Sequence, residues 1–116
     1  MAIPRKSLKV PRARAFKSQC GLCYYCNQPM WRTTLDELTT RYPISAKQAR
    51  LLQCTAEHLI PHAEGGSCKQ ENIVAACLFC NRRRHNQKVP LTPDAHRDRV
   101  QRRLSCGAWH GLRLVS

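Results

Sequence analysis

The sequence predicts a small α+β domain, and three observations carry that expectation. The run from Cys54 to His85 reads strand, turn, strand, helix: a short β-prone stretch ends in Glu57-His58, Gly65-Gly66 marks a turn, a second β-prone stretch covers 72–76, and a polar run follows from Cys77. The chain has only 116 residues, of which 6% are aromatic, so apolar burial alone cannot supply a large core. Eight of those residues are cysteines, a density that means either a disulfide framework or a metal site, depending on the compartment.

Taken in order, residues 1–18 hold two prolines, six basic side chains, no acidic one and no helical periodicity. They are expected to form a basic, flexible arm, extended or disordered until it meets a phosphate backbone; a frayed terminus without a role is the other reading. Next, Cys20, Cys23 and Cys26 stand at two overlapping Cys-x-x-Cys spacings, which alone leave the pair open. The hairpin-like sequence after Cys26 has the look of a zinc knuckle on Cys23 and Cys26, with Cys20 to spare. Joined to Cys77 and Cys80, it would make a closed four-thiolate site of the kind that structural Zn²⁺ takes. A redox role for Cys-x-x-Cys finds no βαβ pattern around it.

Trp31 to Tyr42 is polar, with Leu35 and Leu38, and too short to assign. Ser45 can cap a helix over 46–53 with Ala49, Leu52 and also Leu51 inward and Lys47 and Arg50 outward, a piece of scaffold. Beyond the central run, Thr92 can cap a second helix with Pro93 at its first position and Asp94 in its first turn. That helix reaches about Leu104, aligns Arg97, Arg99, Arg102 and Arg103, and stops before Gly107. The expected division is a basic arm at 1–18, a metal-clasped domain at 19–90, and a basic helix and tail at 91–116 packed on it.

The net charge of +13 is unevenly placed. Residues 19–80 carry five basic and five acidic side chains, whereas 81–116 carry nine basic against two acidic, so a neutral middle lies between two basic ends. Solvated charge is the plain explanation, but one-signed ends more often bind polyanions. Arg12 and Arg14, Arg82, Arg83 and Arg84, and Arg99 and Arg103 are the candidate nucleic-acid contacts. No amphipathic anchor with large apolar residues and no membrane-length apolar stretch is present, which favours nucleic acid over a membrane. The N-terminus lacks the apolar region of a signal peptide, so a reducing, cytoplasmic setting with free thiols is expected.

The central run resembles the ββα-metal (His-Me finger) core of an HNH endonuclease, over residues 20–86. The features that carry the resemblance are Glu57-His58, Pro61 three residues later, Gly65-Gly66, Asn72 opening the second strand, and Cys77-x-x-Cys80-Asn81. It implies His58 as general base, Glu57 and Asn81 as ligands of one divalent cation, and His85 where some members place a further ligand. It also implies Asn72 as the residue that holds the loop and orients the base. Glu57 stands where Asp is usual; the longer side chain can still reach a cation. Oxygen and nitrogen donors of this hard to borderline kind point to Mg²⁺ or Mn²⁺, separate from the zinc. The implied activity is metal-dependent hydrolysis of phosphodiester bonds in DNA, by nicking or cutting, with RNA as an alternative substrate. A non-catalytic, zinc-stabilised nucleic-acid-binding module is the rival, and the intact set Glu57, His58, Asn72 and Asn81 favours the nuclease. His62 is read as a solvent-exposed loop residue, with His96 and His110 likewise, and Cys54, Cys68 and Cys106 as ordinary small side chains.

Overall fold

The computed structural model describes residues 5–116. In it helices α1 (Arg5–Ser18), α2 (Asp36–Thr39), α3 (Ala46–Arg50), α4 (Leu78–His85) and α5 (Pro93–Ser105) surround a two-stranded sheet of β1 (Cys54–His58) and β2 (Ile73–Cys77). The strands are antiparallel, with Cys54 opposite Cys77, Glu57 opposite Val74 and His58 opposite Ile73. Both α1 and α4 pack on this sheet. Side chains alternate across a strand: Thr55 and Glu57 turn to α4, where they meet Asn81, Arg84 and His85, while Cys54 feels the charge of Arg12 on α1. The fold is therefore α+β, with the expected strand–turn–strand–helix unit at its centre.

The hairpin loop is held by one side chain. Asn72 accepts from the Ile60 amide at 2.8 Å through Oδ1 and donates through Nδ2 to the carbonyls of Ile60 (3.0 Å) and Ser67 (2.8 Å). Position 66 must be glycine, because a Cβ there would lie 1.7 Å from the Ile60 carbonyl oxygen and 2.9 Å from Asn72 Nδ2. Asn72 itself ends a 3-10 turn, Gln70–Asn72, and the second strand runs one residue later than expected. Cys77 closes β2 and caps α4, its Sγ accepting from the Cys80 amide, so strand passes into helix without a loop.

The expectation of an extended arm over 1–18 is corrected: residues 5–18 are helical with Pro11 inside, and residues 1–4 lie outside the described residues. An interior proline costs a helix about 3 kcal/mol, and packing offsets it here. Leu8, Pro11, Arg12 and Ala15 follow helical spacing and form the side of α1 that is partly or wholly buried. At the helix end, the Gln19 amide pairs with both backbone groups of Ala75, at 2.8 and 2.9 Å, and thus tethers α1 to β2.

Two caps form as the residues suggested. Ser45 and Gln48 make a reciprocal capping box, and Thr92 Oγ1 accepts from the Ala95 amide. The first of these helices is shorter than expected, ending at Arg50, because Leu52 turns its carbonyl to the Trp31 amide and Trp31 in turn accepts from Cys54. The C-terminal tail is tied down by buried Gln28, whose Oε1 accepts from the amides of Leu114 (2.6 Å) and Val115 (3.2 Å). No helix among the described residues is long and apolar enough to cross a membrane.

Candidate functional site

Two polar centres lie against α4. The first gathers the sulfurs of Cys23, Cys26, Cys77 and Cys80, all buried and all within 4.8 Å of one another. Cys23 and Cys26 sit on a tight knuckle in which the Cys23 amide donates to the Gln28 carbonyl and the Asn27 amide to the Cys23 carbonyl. Asn27 takes the positive φ of 60° that this turn needs, a conformation asparagine tolerates. Tetrahedral zinc with bonds of 2.3 Å sets its sulfurs about 3.8 Å apart, and Cys26 Sγ lies 3.9 Å from Cys77 Sγ. Cys20 is exposed and outside the group.

Several N–H donors point at these sulfurs. Cys23 Sγ accepts from the amides of Tyr25 (3.4 Å) and Cys77 (3.2 Å), and Cys80 Sγ accepts from the Trp109 indole N–H at 3.2 Å. His110 Nδ1 accepts from the Leu112 amide, which puts the ring proton on Nε2, a buried atom without a partner among the described residues and beside Cys26. Hydrogen bonds from Cys23, Cys77 and Cys80 push the Cys26 thiol down, while burial pushes Cys77 and Cys80 up. Four converging sulfurs with N–H donors aimed at them form a group that can hold a metal ion such as zinc.

The second centre is built on Glu57, only 1% exposed. Its Oε2 accepts from the Tyr25 hydroxyl at 3.0 Å and from Arg84 Nη1 at 3.3 Å, and its Oε1 lies 2.9 Å from His85 Nε2. Arg84 also donates from Nε to the Leu91 carbonyl, from Nη1 to the His58 carbonyl and from Nη2 to the Leu59 carbonyl. It thus locks together the start of the hairpin loop, α4 and the segment before α5. Burial and the Glu57 charge hold the Tyr25 hydroxyl far above its ordinary pKa, so it acts here as a neutral donor. His85 is the outward side of this centre, with 34% of its side chain exposed.

His58 follows Glu57 in the chain and faces away from it. Its Nε2 stands 3.7 Å from Cys68 Sγ, and among the described residues it makes no hydrogen bond to Glu57, Asn81 or His85. Burial lowers its pKa below 6.5, opposed by the Glu57 charge, so the ring is neutral near pH 7. Asn81 spends its side-chain N–H₂ on Thr55 Oγ1 (2.9 Å) and the Ala56 carbonyl (3.4 Å), binding α4 to β1. The structure therefore brings Glu57 and His85 into contact, sets Asn81 on the same side of the sheet, and leaves His58 on the strand end beside Cys68.

The basic residues divide. Arg82 and Arg83 are exposed on α4, Arg14 on α1 and Arg103 on α5, while Arg12 and Arg99 are half-buried. Arg84 is corrected from nucleic-acid contact to interior residue: it is 3% exposed and engaged by the Glu57 carboxylate and three carbonyls. His96 is likewise corrected. It is 1% exposed, its Nε2 pairs with the Cys80 carbonyl, and its ring stands edge-on to Tyr25 at 4.6 Å. His62 is exposed, as read. The roles of Tyr25, Arg84, His96 and Trp109 around the two centres had no local signal, since each depends on a partner far off in sequence.

Comparison with known proteins gives one family. Residues 44–87 match the family model described as HNH endonuclease. The match takes in α3, both strands and α4, and so includes Cys77 and Cys80 but not the Cys23–Cys26 knuckle. No curated protein matches the chain.

Proposed function

We propose that this chain, with an HNH segment at residues 44–87, is a metal-dependent nuclease acting on DNA, clasped by a structural zinc at Cys23, Cys26, Cys77 and Cys80. The observation that carries the reading is the approach of Glu57 Oε1 to His85 Nε2 at 2.9 Å, at the end of a hairpin locked by Asn72. Cis ligands of an octahedral cation with bonds of about 2.1 Å lie about 3 Å apart. The pair thus has the spacing and donor types for one divalent ion, Mg²⁺ or Mn²⁺, entering from the exposed His85 side. Asn81, one helical turn before His85, is the third candidate ligand through Oδ1.

A divalent ion held there would supply Lewis-acid stabilisation of charge on the phosphoryl oxygens. The protein's own groups do the rest. Arg84 and Tyr25 hold Glu57 Oε2, leaving Oε1 turned to His85, so the carboxylate is oriented before any ligand arrives. Asn72 fixes the loop after His58, and the neutral imidazole can accept a proton from an attacking water. Arg82 and Arg83, exposed on the same helix, would bind the phosphate backbone.

A supercoiled-plasmid assay with added Mg²⁺ or Mn²⁺ tests the reading: nicked or linear product is expected, and it should vanish in Glu57→Gln. A second reading, a binding module without turnover, is favoured by the burial of Glu57 and the turning of His58 to Cys68. Plasmid that is bound but left intact with every divalent ion would establish that reading in place of ours.

A further inference from the structure

A cleft with a volume of about 810 Å³ lies away from both centres, between α1, the strand-like segment Pro29–Met30 and α2. Its floor is apolar: Met30 and Leu38 are buried, and Phe16 is half-buried. Arg14, Lys17, Arg32 and Arg41 stand exposed around the opening. Neither the HNH segment nor the cysteine clasp uses these residues.

Among the described residues Glu37 is the only carboxylate that lines the cleft, and it is turned inward to the chain. Its oxygens accept from the amides of Arg32 (3.1 Å), Thr33 (2.8 Å) and Thr34 (2.8 Å). Burial works upward on this carboxyl, but the three N–H donors outweigh it and keep it ionised. The Arg32 charge also acts on it, but among the described residues none of the four rim cations forms a salt bridge.

The ring of Phe16 takes a planar partner: the Arg32 guanidinium lies over it, 5.4 Å from the centroid, in the place that a stacked base would take as the arginine swings out to a phosphate. Gly21 sets the ring in place, since a Cβ there would meet Phe16 Cζ at 3.2 Å. An apolar floor with one aromatic ring already stacked by a planar cation, ringed by exposed basic side chains, fits a ligand that joins a flat apolar body to regularly spaced negative charge. An unpaired nucleotide in a strand is that ligand: the base stacks, and its flanking phosphates meet the rim. An acidic peptide supplies the charge without the plane, and a closed duplex keeps its bases stacked away from the floor.

We propose that this cleft binds single-stranded nucleic acid, taking one unpaired base onto Phe16 and the adjacent phosphates onto Arg14, Lys17, Arg32 and Arg41. The inference goes beyond the nuclease reading, because it assigns a strand-binding site outside the HNH segment and holds whether or not the chain cleaves.

The test is equilibrium binding by the full chain with no divalent ion added, using oligonucleotides of about ten residues that carry a central 2-aminopurine. DNA and RNA strands form two arms, and a blunt duplex of the same sequence a third. Single strands should bind at least about ten-fold tighter than the duplex, with a change in 2-aminopurine emission as the base stacks. Arg14→Glu with Arg41→Glu, both at exposed positions, should weaken strand binding by more than about ten-fold while zinc content and circular dichroism stay unchanged. Phe16→Leu keeps the floor apolar and should remove the emission change. Binding by either sugar supports the proposal, and the tighter arm names the natural strand. The proposal is overturned if the duplex binds as well as the strand, if the charge-reversed protein binds as wild type does, or if a poly-glutamate peptide competes as well as the oligonucleotide. Plasmid cleavage plays no part in these readouts, so failure of the nuclease reading would leave them standing.

Discussion

At position 58 a neutral imidazole ends β1, and its environment fixes a sign. Burial lowers the folded pKa below 6.5, so the neutral form persists down to that lower value and is lost only as pH falls through it. The acid limb of the cleavage rate should therefore lie below pH 6.5; a limb at or above that value would remove His58 as the base. His58→Ala should lower cleavage by about 10² to 10⁴, the usual worth of a positioned base, with DNA affinity and metal content retained. Arg84 yields a prediction of another kind. Arg84→Met strands the Glu57 carboxylate in the interior and should cost about 3–5 kcal/mol in urea unfolding. A loss under 1 kcal/mol would show that Tyr25 and His85 suffice to hold the carboxylate.

Among the elements, α1 and α4 each combine scaffold with surface. Because α1 buries Ala15 and hands the chain on to Gln19, whose amide pairs with Ala75, removing residues 1–18 should lower stability as well as nucleic-acid affinity. Thermal unfolding of the truncated chain checks this, and an unchanged midpoint would mean that α1 contributes little to the fold. On α4, Arg82 and Arg83 are exposed while Arg84 is not. Arg82→Ala and Arg83→Ala should each flatten the salt dependence of DNA binding by about one unit of slope, with stability unchanged.

For the molecule as a whole, the clasp ties the knuckle near the N-terminal helix to the corner where β2 becomes α4. The core cluster includes all four cysteines together with Tyr25, Leu38, Leu52 and Val100, so the metal group and the apolar interior are one body. Structural zinc contributes on the order of 10 kcal/mol of apparent binding free energy in small zinc peptides. Cys77→Ser should consequently unfold most of the chain, and elemental analysis should find about one zinc per molecule. A folded, metal-free protein would show that apolar packing carries the fold alone.

The loop role of Asn72 was implied only by the resemblance to HNH endonucleases, whereas the strand–turn–strand–helix order, the Ser45 and Thr92 caps and the two Cys-x-x-Cys pairs were legible in the sequence itself. Each is written in local spacing: period-2 stretches, capping residues, Cys-x-x-Cys pairs and a Gly-Gly turn fix their outcome within a few residues. Helix α1 was not legible, because its inward stripe is Leu8, Pro11, Arg12 and Ala15 and so shows no apolar period; only docking on the sheet gives those positions a reason to be helical. Arg84 could not be told from Arg82 and Arg83 in a run of three like residues. The tertiary structure chose it, since a helix turns 100° per residue and one of three consecutive arginines must point at the sheet, where the Glu57 charge and the carbonyls of His58, Leu59 and Leu91 wait 25 residues or more away or across the next loop. The direction in which His58 faces was decided in the same way, by the alternation of side chains along a strand once Glu57 had been drawn into the interior by Tyr25 and Arg84.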